Sequence, residues 1–143
     1  MDGGDASGAA AVFELPIAVQ ADDIDGRAHV NNIVYLRWVQ DAAAAHWFAA
    51  ATAEQQAEYV WVVVRHEIDY LRPAVLGDSL VARTHVGAAS GARFDRFVEI
   101  VRSADGTVLA RARSMWAALD ATTGRPRRVD AALRARFMRP PEG

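Results

Sequence analysis

The chain has 143 residues, 52% of them hydrophobic and 24% charged, which suits one domain with a substantial core and is too short for two. A formal net charge of −2 and a pI near 6.1 leave no basic field for nucleic acid or an anionic membrane. The absence of cysteine excludes disulfides, thiolate nucleophiles and Cys-ligated zinc, and fits a reducing, cytoplasmic compartment.

In chain order, residues 1–11 are rich in Gly, Ala and Asp and read as a disordered leader, without the charged and apolar regions of a signal peptide. Val12 to Gln20 reads as a first strand, followed by an acidic loop from Asp22 to Asp25. A helix is predicted from near Asn31 to about Ala51, with Asn31 or Asn32 as N-cap. Arg37, Gln40 and Asp41 form one polar stripe on it, with Arg37 and Asp41 at ion-pair spacing. The rest of its surface is apolar or alanine, the pattern of a helix enclosed by its own domain.

After a loop around Glu54 to Glu58 the pattern turns to strands. Val60 to Leu71 alternates, which puts Val62, Val64, His66, Ile68 and Tyr70 on one face and Arg65, Glu67 and Asp69 on the other. Pro73 ends it. Ser79 to Val86, Arg93 to Arg102 and Thr107 to Leu119 follow as strands, separated by the turn signals Ser90-Gly91 and Asp105-Gly106. On the middle strand Phe94, Val98 and Ile100 share a face. A turn at Thr123 to Pro126 precedes a short helix from Val129 to Phe137, and residues 138–143 read as a frayed end. One domain over 12–137 in the order β-α-β-β-β-β implies an α+β fold: a five-stranded antiparallel sheet and one long helix to wrap.

Chemistry concentrates where the acidic loop meets the helix. Asp23 and Asp25 lie just upstream of a helix N-terminus, whose unpaired N–H groups can stabilise an oxyanion. A carboxylate there can act as nucleophile or general base, or the two aspartates can simply shape a turn while Asn31 caps the helix. A thiolate leaving group, with a thiol pKa of roughly 8.5, needs no strong acid. His66 and His46 read as packed core histidines and His85 as exposed; none has metal-ligand spacing, so no metal is expected. Arg125, Arg127 and Arg128 form a basic cluster that could hold phosphates or lie solvated on a turn. All sixteen cationic side chains are Arg, so any phosphate site must be made of guanidinium forks. Serine-hydrolase, P-loop and dinucleotide fingerprints are absent.

The run Asp23-x-Asp25-x-x-Ala28-His29-Val30-Asn31-Asn32-x-x-Tyr35-Leu36-Arg37-Trp38 resembles the signature of the 4-hydroxybenzoyl-CoA thioesterase family, whose fold is the hotdog. Asp69 to Ala74 with Gly77-Asp78 resembles the family's strand and turn, and Leu119-Asp120 with Thr123 to Pro126 is similar to its closing stretch. The resemblance implies a hotdog-fold acyl-CoA thioesterase with Asp25 as catalytic carboxylate and the backbone N–H near Asn32 as oxyanion donor. His29, Asn31 and Tyr35 would shape or polarise the site, and the arginine cluster Arg125, Arg127 and Arg128 would bind CoA. It further implies a homodimer or homotetramer with active sites at the subunit interface, CoA entering as substrate and no separate cofactor. Ala28 departs from the family's glycine, and the histidine stands at 29 where one subgroup has it at the position of Asn32. Two other readings share the fold: a thioesterase on carrier-protein-bound chains, and a non-catalytic acyl-thioester-binding protein.

Overall fold

The computed structural model describes residues 11–138, so the leader and the frayed end expected from sequence lie outside the described residues except for Ala11 and Met138. Strand β1 spans Phe13–Ala18, and a tight helical turn at Ala21–Asp23 leads toward the long helix α1, Asn32–Ala50. A short helix α2, Ala53–Glu58, follows. Then come β2 (Tyr59–Tyr70), β3 (Ser79–Ser90), β4 (Arg93–Arg102), β5 (Val108–Asp120) and the final helix α3, Ala131–Phe137. The five strands form one antiparallel sheet in the order β1-β3-β4-β5-β2, and α1 packs across one face. This is the α+β architecture expected from the sequence, with α2 as an addition. The expected loop at 54–58 is helical because Thr52 and Gln55 make a reciprocal capping box, each side chain accepting from the other's backbone N–H.

Both ends of α1 are packed, by different groups. Val34, Tyr35, Trp38 and Val39 meet Leu80, Ala82, Val98, Ile100 and Leu109, while Trp47 meets Tyr59, Phe94, Leu133 and Phe137 near the other end. Fully buried alanines, Ala42 on the helix and Ala82 and Ala118 on the sheet, let the two layers approach. A buried aromatic such as Trp38 contributes on the order of 2–3 kcal/mol. The expectation that α1 is enclosed on nearly every side is corrected. Ile33, Arg37, Gln40, Ala44 and Phe48 form an open stripe, with Ile33 75% and Phe48 63% exposed. A five-stranded sheet covers one side of a helix, and among the described residues nothing else crosses the other.

Two strands depart from simple alternation. β3 runs on to Ser90 through an irregularity between Val86 and Ala89. In β2 the register against β5 shifts between Val63 and Arg65, leaving Val64 as an extra residue. The sequence expectation that Val62 and Val64 share a face with His66 is therefore wrong. Tyr59, Trp61 and Val63 face the helix before the bulge and His66 and Ile68 after it, while Val60, Val62 and Val64 are exposed. β2 lies at the sheet edge, paired only with β5.

Candidate active site

The start of α1 is fixed by the segment in front of it. Asn31 is the N-cap, its Oδ1 accepting from the Ile33 N–H at 3.1 Å, and its own N–H donates to the Asp23 carbonyl at 2.8 Å. Ile24 bridges Val30, and the loop between them closes on itself through Asp25: its N–H donates to the His29 carbonyl at 2.8 Å. Ala28 completes the loop at φ +66°, the left-handed region. Alanine thus holds the conformation a glycine would take there, and the turn keeps its shape.

Asp25 is pinned by one oxygen only. Oδ1 accepts from the Arg27 N–H at 2.8 Å and the His29 N–H at 3.3 Å, while Oδ2 has no hydrogen-bond partner among the described residues. Asp23 is different in kind. It is buried, with Oδ1 2.9 Å from Arg37 Nη2 and Oδ2 accepting from the Gln20 N–H at 2.8 Å. Burial opposes its ionisation, but the Gln20 bond and the Arg37 guanidinium outweigh that and hold its carboxyl below the usual carboxylate range. Asp23 is scaffold. The Arg37–Asp41 pair expected from spacing gives way to this one, because a buried carboxylate competes better than an exposed neighbour on the helix.

Asp25, Arg27, His29, Asn31, Asn32, Tyr35, Tyr70 and Arg72 together line a groove of about 470 Å³. Among the described residues the Asn32 N–H has no acceptor, as the first helical position requires. The Asn32 carbonyl accepts from Tyr70 Oη at 3.2 Å, which ties the end of β2 to the helix start. Tyr35 is buried and its hydroxyl accepts from the Ala74 N–H at 3.0 Å, so it braces the segment after β2. Burial raises the pKa of that hydroxyl. The imidazole of His29 is exposed at the groove and makes no hydrogen bond among the described residues.

The structure brings five of the sequence-predicted residues to one groove, Asp25, His29, Asn31, Asn32 and Tyr35, and leaves the arginine cluster apart. Arg125, Arg127 and Arg128 follow the end of β5 that pairs with Tyr59, whereas the groove lies at the Tyr70 end of β2. At ~3.3 Å per residue these ends are on the order of 35 Å apart. Arg127 is also occupied, with its guanidinium over the Tyr59 ring at 4.4 Å and Nη1 3.4 Å from Asp120 Oδ2. Arg125 and Arg128 are exposed. Sequence reasoning missed Arg27 and Arg72, the guanidinium groups that do line the groove; each lies within a matched motif, and only the folded loop shows their common direction. Among the described residues no three His, Asp or Glu side chains gather as a metal site requires, and no helix is long and apolar enough to cross a membrane.

Residues 19–137 match the sequence profile of the thioesterase-like superfamily. Solved structures with the same fold include a 1,4-dihydroxy-2-naphthoyl-CoA thioesterase from Synechocystis, at 21% identity and TM-score 0.77 over 88% of this chain and 95% of that one. A thioesterase from Thermus thermophilus complexed with coenzyme A and zinc gives 25% identity and TM-score 0.75 over 87% and 90% of the two chains. The probable thioesterase YbaW from Escherichia coli gives 25% and 0.76 over 89% and 99%. No protein of curated function matches the sequence significantly. With the profile spanning four of the five strands, the helix and the Asp25 loop, the chain belongs to the thioesterase-like superfamily and has its hotdog fold.

Proposed function

We propose that this thioester hydrolase cleaves acyl-CoA to a free acid and CoA, with Asp25 as its catalytic carboxylate. The observation that carries the reading is the pairing of a half-pinned carboxylate with an unpaired helix N–H in one groove. Two backbone N–H groups hold Asp25 Oδ1, which leaves Oδ2 to attack the thioester carbonyl or to activate a water. The oxyanion then develops against the Asn32 N–H and the positive end of α1. The thiolate departs without strong acid catalysis, and Tyr70 and Asn31 keep the helix start in place.

A dimer completes the site in this reading. β2 offers a long unpaired edge with Val60, Val62 and Val64 exposed beside it, a surface that monomeric proteins cover or charge. Antiparallel pairing of two β2 edges sets the Tyr59 end of one strand beside the Tyr70 end of the other. Exposed Arg125 and Arg128 of the second copy thereby approach the groove, where Arg27 and Arg72 already lie, and the four guanidinium groups suit the phosphates of CoA.

The test is thiol release from short, long and aromatic acyl-CoAs, with matched carrier-protein thioesters alongside. Turnover on CoA esters that falls about 10²–10⁴-fold in Asp25→Asn without loss of folding is the expected result. Preference for the carrier-protein ester would redirect the substrate, and binding without turnover would make the protein an acyl-thioester receptor. In single turnover in H₂¹⁸O, label in the Asp25 carboxylate identifies it as the nucleophile, because that label enters only when water opens an acyl-aspartyl anhydride at the aspartyl carbonyl.

A further inference from the structure

Behind the exposed stripe of α1 lies a second cavity, of about 330 Å³, that shares no lining residue with the Asp25 groove. Its walls are aromatic, with Trp47, Phe48, Trp61, Phe94, Trp116 and Phe137 among them, and Arg96 also lines it. Arg96 is only 2% exposed, and among the described residues no carboxylate comes within ion-pair reach of it. Its Nη1 donates to Thr84 Oγ1 at 2.9 Å and meets His46 Nδ1 at 3.0 Å. Nε has no acceptor, and Nη2 makes no hydrogen bond among the described residues.

A buried cation is ordinarily paired, because leaving it alone in a low-dielectric site is costly. Here burial alone pulls the guanidinium down to about 9. Trp61 and Trp116, which line the same cavity, also carry buried indole Nε1 groups without acceptors. Three unsatisfied N–H donors in the residues around one apolar space are an exception to the rule that buried polar groups are paired. Arg96 Nε is itself closed off, which leaves Nη2 as the guanidinium nitrogen able to give a charge-assisted hydrogen bond to a carboxylate in the cavity. The aromatic walls favour a flat, apolar partner, and the volume is room for roughly eleven water-sized units at ~30 Å³ each.

We propose that this cavity binds a planar unsaturated or aromatic carboxylate, its carboxylate against Arg96 Nη2 and its body between the tryptophans. Free carboxylic acids are the class that thioester hydrolysis releases, so the proposal extends the reading above while resting on none of its catalytic residues. It places product-class acids about twelve helical residues, ~18 Å, along α1 from Asn32.

Calorimetric titration of the full chain with trans-cinnamate and with uncharged cinnamamide tests it directly. Cinnamate is expected to bind saturably and at least tenfold more tightly than the amide. Arg96→Met should remove that preference, and Asp25→Asn should keep it. Absence of saturable cinnamate binding, or equal affinity for the amide, overturns the proposal without bearing on thioester cleavage. Unchanged preference in Arg96→Met overturns it too, since the carboxylate would then sit elsewhere. If Arg96→Met fails to fold, the cinnamate–amide comparison on the unaltered protein still decides, and Trp116→Phe reports on the second donor with a predicted several-fold loss.

Discussion

Arg37 Nη2 lies 2.9 Å from Asp23 Oδ1, and this ion pair ties the second turn of α1 to the tight helical turn just ahead of Asp25. Asp23 is 3% exposed while the Arg37 side chain is 54% exposed, so the pair is anchored from the carboxylate side. Since the folded Asp23 holds its proton less tightly than the unfolded one, its contribution to stability is present above the ordinary carboxylate range. It is lost as pH falls through the lowered folded value. Asp23→Asn is expected to cost about 1–3 kcal/mol at neutral pH, the worth of hydrogen bonds to a charged group. Urea unfolding at pH 7 and pH 4 checks it, and a variant no less stable than the parent at pH 7 would contradict the assignment.

Ala28 at φ +66° carries conformational strain that glycine would not. The left-handed region costs an L-residue roughly 1–2 kcal/mol, partly offset by the greater freedom glycine has when unfolded. Ala28→Gly is expected to raise Tm by about 2–4 °C with kcat unchanged within a factor of two. Thermal scans and thiol release on the same preparation measure both.

His46 is neutral in the folded chain. Burial first, then the facing Arg96 guanidinium, push it down to about 3, and it stacks on Phe13 with centroids 5.0 Å apart. Unfolded histidine takes its proton near 6.5, so the protein loses stability as pH falls from about 6.5 toward 3, by up to about 1.4 kcal/mol per pH unit. Between pH 7 and pH 5 the loss is about 2 kcal/mol. In His46→Gln, which keeps an acceptor without a titrating group, that share of the loss is expected to disappear, leaving what His66 and His85 contribute, both also lowered by burial. Denaturation midpoints at the two pH values give the comparison.

The proposed β2–β2 dimer is tested by guarding that edge with charge. Val62→Arg with Val64→Arg puts two cations beside the unpaired edge, where like charges from a second copy would meet. Sedimentation is expected to show weaker association, with the dimer dissociating at an at least tenfold higher concentration and turnover per chain falling in step at dilution. A double variant that sediments as the parent does would show that the subunits, if they pair, do so elsewhere.

The element order and the Asp25 loop could be read from sequence because both rest on local rules: alternation, turn dipeptides, an amide cap and a matched motif. Asn31 capping α1 is such a case. What failed was non-local. The Val64 bulge exists only against β5, so strict alternation carried Val62 to the wrong face. Asp23 won Arg37 over Asp41 because of burial that no spacing records. Arg125, Arg127 and Arg128 were grouped with the site because guanidinium forks suit phosphate, while their distance from it depends on which end of β5 they follow. Arg96 was visible in principle: it alternates in phase with Phe94 and Val98, and a charge at a core position was the signal passed over.

The bulge in β2 also sets how the two cavities can diverge. Upstream of Val64 the inward residues reach the aromatic cavity through Trp61, and downstream they reach the Asp25 groove through Tyr70. Because Val64 is the extra residue, deleting it would leave Val63 inward, Arg65 outward and His66 inward, plain alternation with every other side chain facing as before. Absorbing Val64 into a bulge-free pairing would instead turn Asp69 toward the helix where Tyr70 now stands, and Tyr70 would leave the Asn32 carbonyl. Point changes in either half, by contrast, leave the other half's facing untouched. One strand thus carries two separately adjustable walls, and Val64 is the one position between them where a residue can be lost without turning either wall.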